Sequence, residues 1–219
     1  MILFWLGGRK MEEKIGKITE TKAFEQLGIL VLDGSGSMEV AGETGQPKAE
    51  EVNNVTRGLI SRLKVSRRKE NFYLSIVSYD HNVTVRLKPT PVTQIDDTAD
   101  YNPLNGHGGE TAIGDALETA SKIAEEFLEK KTAFPRSVVI VLLTDGQNNA
   151  GKKHPVEVAN KIKSSGKKIT LCAAGYGRGE DVDALILQQI VSGSGEYIRA
   201  YDPEALRKFF EASVSKIRA

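Results

Sequence analysis

Ile29-Leu30-Val31-Leu32-Asp33-Gly34-Ser35-Gly36-Ser37-Met38 is the stretch on which the reading of this chain turns. Four consecutive apolar residues ending in an acid describe a strand buried on both faces, as inside a parallel sheet. Beyond Asp33, serines at 35 and 37 alternate with glycines at 34 and 36. The glycines permit a sharp turn, and their small size lets Asp33, Ser35 and Ser37 converge on one point. An anionic oxygen and two neutral ones at the carboxyl end of a central strand suit a hard cation such as Mg²⁺. That edge of an open α/β sheet is where ligands bind.

Outward from this strand, which spans Leu27 to Asp33, helical and extended patterns alternate. The Gly-, Glu- and Thr-rich span Met38 to Pro47 reads as a loop over the site, and Pro47 is placed to open a helix. In that helix Val52, Val55, Leu59 and Leu63 recur at helical spacing. Phe72 to Tyr79 is a second strand. A tight turn at Asp80-His81-Asn82 leads into Val83 to Lys88, where Val83, Val85 and Leu87 alternate with polar residues. This is the period of an antiparallel edge strand with one wet face. Residues 89 to 110 read as a long loop carrying three prolines, and long ordered loops tend to be functional. Ile113, Ala116, Leu117, Ala120, Ile123, Ala124, Phe127 and Leu128 then mark one face of a helix. Ser137 to Leu143 is an apolar central strand, Pro155 to Ser165 a helix and Lys168 to Ala174 a strand. Asp181 to Val191 is a short helix, Glu196 to Ala200 the last strand, and Pro203 to Ile217 a closing helix with Leu206, Phe209, Phe210 and Ile217 inward. This alternation predicts a doubly wound, Rossmann-like α/β domain. Its six-stranded sheet is mostly parallel with one antiparallel edge strand, and helices cover both faces. The expected division is a lead-in segment over residues 1–26 and one domain over 27–219.

Composition narrows the function classes. A 219-residue chain with 40% hydrophobic content and a formal charge of +1 offers no electrostatic case for nucleic acid or an anionic membrane. Cys172 is the only cysteine, so no intrachain disulfide forms, and its place in an apolar strand reads as a small buried thiol. The apolar tip Met1 to Leu6 is far shorter than the ~20 residues that cross a bilayer, and it lacks the flanks of a secretory signal. A cytoplasmic location is the resulting expectation. Arg67, Arg68 and Lys69 read as solvated charges near the negative end of a helix. His81, His107 and His154 fall in turns or loops, where solvent exposure is expected, with His107 four positions before Thr111 and so beside the site. Gly175 to Gly179 misses the dinucleotide-binding spacing and reads as a turn. No Gly-x-Ser-x-Gly elbow and no Walker lysine motif is present.

The Asp33-x-Ser35-x-Ser37 run resembles the first motif of the von Willebrand factor A (vWA) family and its metal-ion-dependent adhesion site. Gly108-Gly109-Glu110-Thr111-Ala112-Ile113-Gly114 is similar to the second motif, and Thr144-Asp145-Gly146 to the third. The motifs stand in the family's order, and the similarity runs from about Leu27 to the C-terminus. The resemblance implies Ser35 and Ser37 as direct hydroxyl ligands and Thr111 as a ligand directly or through water, with Asp33 and Asp145 often acting through water and holding the hydroxyls in place. Taken singly, either acid could do no more than cap the turn after its strand. The implied ion is Mg²⁺, or Mn²⁺ or Ca²⁺, and the implied partner is a protein that offers it an Asp or Glu. The short form resembles the bacterial cytoplasmic vWA proteins of tellurite resistance and stress response. Two other functions fit the same residues: a vWA partner subunit of a chelatase-like AAA+ ATPase, and a metal-dependent phosphohydrolase. A second carboxylate two residues after Asp33, as in aspartyl-phosphate phosphatases, is replaced by Ser35, and a non-enzyme is expected.

Overall fold

Strand β1 (Glu25–Asp33) is buried at every one of its nine residues, and the rest of the molecule is layered around it. A computed structural model describes residues 21–178 and 182–216. The apolar tip, the lead-in up to residue 20, Asp181 and Ile217 lie outside the described residues. Helix α1 (Lys48–Val65) follows β1 and returns to β2 (Phe72–Tyr79), which turns into β3 (Val83–Pro91). Then come α2 (Ile113–Glu129), β4 (Arg136–Thr144), α3 (Pro155–Ser164), β5 (Ile169–Tyr176), α4 (Ala184–Ile190), β6 (Tyr197–Ala200) and α5 (Pro203–Ser215). The sheet order is β3-β2-β1-β4-β5-β6. Among the described residues the sheet's β2–β3 pairing is antiparallel and its other pairings are parallel.

Two cores form, one on each face of the sheet. Leu30, Leu32, Leu74, Ile76, Val139 and Val141 face α1 and α5. Ile29, Val31, Val77, Val138, Ile140 and Leu142 face α2, α3 and α4. This two-sided cover explains why β1 and β4 carry unbroken apolar runs. Because the order reverses between β1 and β4, a crevice opens beyond their carboxyl ends, and Asp33 and Asp145 both lie there. Among the described residues no helix is long and apolar enough to cross a membrane.

Several local expectations need correction. Strand β1 begins two residues before Leu27, because Glu25 pairs with Arg136 at 2.5 Å and Gln26 donates to the Val214 carbonyl at 2.6 Å. The alternation of Val83, Val85 and Leu87 does not mark one face. The β2–β3 register shifts between Ile76/Leu87 and Val77/Val85, so a bulge flips the strand. Leu87 packs with the α1/α5 core, Val83 with the α2 core, and Val85 is exposed. Strand β3 also runs through Pro89 to Pro91, a place open to proline because the strand is an edge. Met38 leaves the expected loop and is fully buried. Gly175 and Tyr176 belong to β5 rather than to a turn. Cys172 is buried within β5.

Candidate metal centre

Asp33 ends β1 with its side chain sealed from solvent, and its two oxygens are already shared out. Oδ1 accepts the Ser35 N–H at 2.8 Å, and Oδ2 accepts the Thr144 hydroxyl at 2.6 Å. Burial pushes this carboxyl up to about 6, against the pull of those two donors and with a further push from Asp145. The turn itself depends on Gly34. A Cβ there would lie 2.2 Å from the Pro103 carbonyl oxygen, so only glycine lets the loop before α2 close over β1.

The serines continue the chain of contacts. Ser35 Oγ lies 3.1 Å from Ser37 Oγ, and Ser37 Oγ donates to Asp145 Oδ1 at 2.6 Å. The other Asp145 oxygen receives the Lys48 ammonium at 2.6 Å. Ser35, Ser37 and Asp145 therefore link their oxygens in one group at the ends of β1 and β4, to which Asp33 is tied through the Ser35 N–H. The second motif, which carries Thr111, meets the first through the backbone. The Gly36 N–H donates to the Gly109 carbonyl at 3.0 Å, which ties the first motif to the second. Asn149 closes the third side: its Oδ1 accepts the Thr111 N–H at 2.7 Å, and its own N–H donates to the Thr111 carbonyl at 3.1 Å.

Asp80 anchors the second motif from beneath. It accepts the Gly109 N–H at 3.0 Å and the Asn82 N–H at 2.7 Å, and His107 Nδ1 lies 2.9 Å away. Burial raises the Asp80 carboxyl, but these partners, His107 foremost, outweigh it and hold the group below the ordinary range. The His107 side chain is only 1% exposed, so the expectation of a solvated loop histidine is wrong for it. His81 and His154 are exposed, as expected, and so is Glu110. Arg67 and Arg68 are exposed as well.

Sequence reasoning missed Lys48, Asp80, Asn149 and Glu51. Lys48 carried a signal: a cation in the first turn of a helix opposes the helix dipole unless an anion waits for it. Glu51, one turn later, is buried and accepts from the Tyr176 hydroxyl and from Thr44, pinning the loop above the site. Asp80 and Asn149 carried none, since each acts through backbone groups remote in sequence.

The donors are all oxygens, hydroxyl or carboxylate, and such a set fits a hard divalent cation rather than a soft metal. Among the described residues no cluster of three or more His, Cys, Asp or Glu is arranged to hold a metal. Any ion here would therefore rely on hydroxyls for most of its protein ligands.

A family model for the von Willebrand factor type A domain matches residues 29–212. Among solved structures the chain is similar to BatB, a conserved hypothetical protein from Bacteroides thetaiotaomicron, at 18% identity and TM-score 0.63, over 88% of this chain and 98% of that one. It is similar to a von Willebrand factor type A protein from Catenulispora acidiphila at 22% identity and TM-score 0.67, over 89% of this chain and 43% of that one. It is also similar to the PilB minor pilin of Streptococcus sanguinis at 15% identity and TM-score 0.70, over 90% and 62%. The chain thus spans less than half of the second and under two-thirds of the third. At these identities the likeness is one of fold.

Proposed function

Because the chain belongs to the von Willebrand factor type A domain family, whose domains are generally protein-interaction modules and commonly bind a divalent metal, we propose that it docks a protein partner through a metal ion at the β1/β4 crevice. The observation that carries this reading is the connected group of Asp33, Ser35, Ser37 and Asp145 at the switch point of the sheet.

Ser35, Ser37 and Thr111 would hold the ion directly, while Asp33 and Asp145 orient the hydroxyls and balance the charge. A divalent ion, Mg²⁺ or Mn²⁺, supplies an electron-poor centre that favours one more anionic oxygen. The partner supplies that oxygen from an Asp or Glu. Asp145 already holds the Ser37 hydroxyl, beside which Ser35 Oγ lies, and the Gly36–Gly109 bond fixes the two loops, so less ordering remains to be done on binding. The domain is a binding module without turnover of its own.

Calorimetry with Mn²⁺ tests the site: wild type binds one ion, and Asp33→Ala does not. For the partner, affinity capture runs with Mg²⁺ and with EDTA, followed by a pull-down with wild type, Thr111→Ala and Arg67→Ala. Binding is lost in EDTA and weakened by Thr111→Ala, while Arg67→Ala, at an exposed position off the crevice, leaves it unchanged. Capture that survives both EDTA and Thr111→Ala would place recognition elsewhere on the surface.

A further inference from the structure

Asp33 and Asp145 do not stand alone at the crevice. Lys48 fills the electrostatic role of a cation. It is the first residue of α1, and its Nζ lies 2.6 Å from Asp145 Oδ2, with side-chain exposures of 15% and 0%. Since Ser37 holds Oδ1 of the same group, both Asp145 oxygens are engaged, one by a full positive charge. Asp33, in contrast, is met by neutral donors, Ser35 and Thr144.

The root of this lysine is fixed. The Lys48 N–H donates to the Val40 carbonyl at 3.0 Å, and the loop ahead of it is clamped by Thr44 and Tyr176 on Glu51. Its stem runs beside Gly177, where a Cβ would stand 3.4 Å from Lys48 Cε. A lysine at a helix N-terminus is held against the dipole, so its ion pair with a buried acid has to offset that cost.

We propose that Lys48 is a tethered counter-cation of the oxygen group, which competes with a divalent ion for Asp145 and sets how tightly the domain takes up metal. The inference rests on the metal-centre reading above. Two charges of the same sign cannot both neutralise one carboxylate at full strength, so every ion that enters works against the ammonium. In the metal-free protein the ammonium relieves the repulsion between Asp33 and Asp145. The domain therefore keeps its fold without metal, and gives up affinity in exchange.

The test is Mn²⁺ titration of the full chain by calorimetry, with melting curves in EDTA and in Mn²⁺. The variants are wild type, Lys48→Met, Lys48→Arg, Asp33→Ala, and Lys152→Met as an exposed control. Methionine keeps the apolar stem of lysine out to the ε-carbon and removes the ammonium. Lys48→Met should bind Mn²⁺ roughly tenfold more tightly, the scale of one partly buried charge pair. It should also melt lower in EDTA and gain more from Mn²⁺. Lys48→Arg and Lys152→Met should match wild type. Lys48→Gln, checked by circular dichroism, serves if the methionine variant does not fold. Equal or weaker Mn²⁺ binding by the uncharged variant, with Asp33→Ala still abolishing binding, overturns the role of Lys48 and leaves the metal centre standing. Binding absent from every variant, or undisturbed by Asp33→Ala, overturns the metal centre and this inference together.

Discussion

Asp80 steers the second motif while standing outside the oxygen group. Its partners, the Gly109 and Asn82 N–H groups and the His107 and His81 rings, come from two segments and meet on one buried carboxylate. The folded-state carboxyl is held below its ordinary value near 3.8, so its stabilisation is present in full above that pH. It is lost as pH falls through the depressed folded value. Asp80→Asn should therefore cost about 1–3 kcal/mol at neutral pH, the range for leaving a buried hydrogen-bonding group without its partner. The gap to wild type should hold above pH 3.8 and narrow from there down to about pH 2, as measured by urea denaturation at each pH. A gap that stays constant over that range would show that the charge of Asp80 is not what matters. His107 belongs to the same scale: its sequence neighbours say loop, and only the fold, by bringing Asp80 beneath it, makes it a buried ring.

Strands buried on both faces were the most legible elements, since β1 and β4 advertise themselves by apolar runs that no half-exposed strand would carry. The helices α2 and α5 followed from periodicity. What sequence could not reveal was the bulge in β3, because one inserted residue leaves the alternation of Val83, Val85 and Leu87 intact on paper while reversing which face each occupies. The consequence is measurable. Leu87→Ala should lose roughly 1–3 kcal/mol, for it is packed against the α1/α5 core, whereas Val85→Ala, at 38% exposure, should stay within about 0.5 kcal/mol. Equal losses in chemical denaturation would contradict the bulge. The cluster around Asp33 was legible as three separate motifs; its supports, Lys48, Asn149 and Asp80, were not, since each meets its partner only across the fold.

At the scale of the whole molecule, the crevice exists because β1 and β4 are neighbours although they are far apart along the chain. Thr144 and Asp33, which share a hydrogen bond, are 111 positions apart. Metal binding and global unfolding should therefore be one transition, and Mn²⁺ should raise the melting temperature as ligand linkage requires. A melting curve indifferent to millimolar Mn²⁺ and to EDTA would count against the site. The pairing of β1 with β4 has a further consequence during synthesis. The chain emerges from its N-terminus, so β1 can pair with β2 on one side long before β4 exists to cover the other. In that interval a strand destined for burial on both faces is an open edge of unpaired backbone, without proline or charge between Leu27 and Leu32 to discourage intruders. Non-local pairing of this kind also slows folding. A nascent chain arrested before Arg136 should accordingly recruit chaperones and aggregate when released, and one extended beyond β6 should do neither.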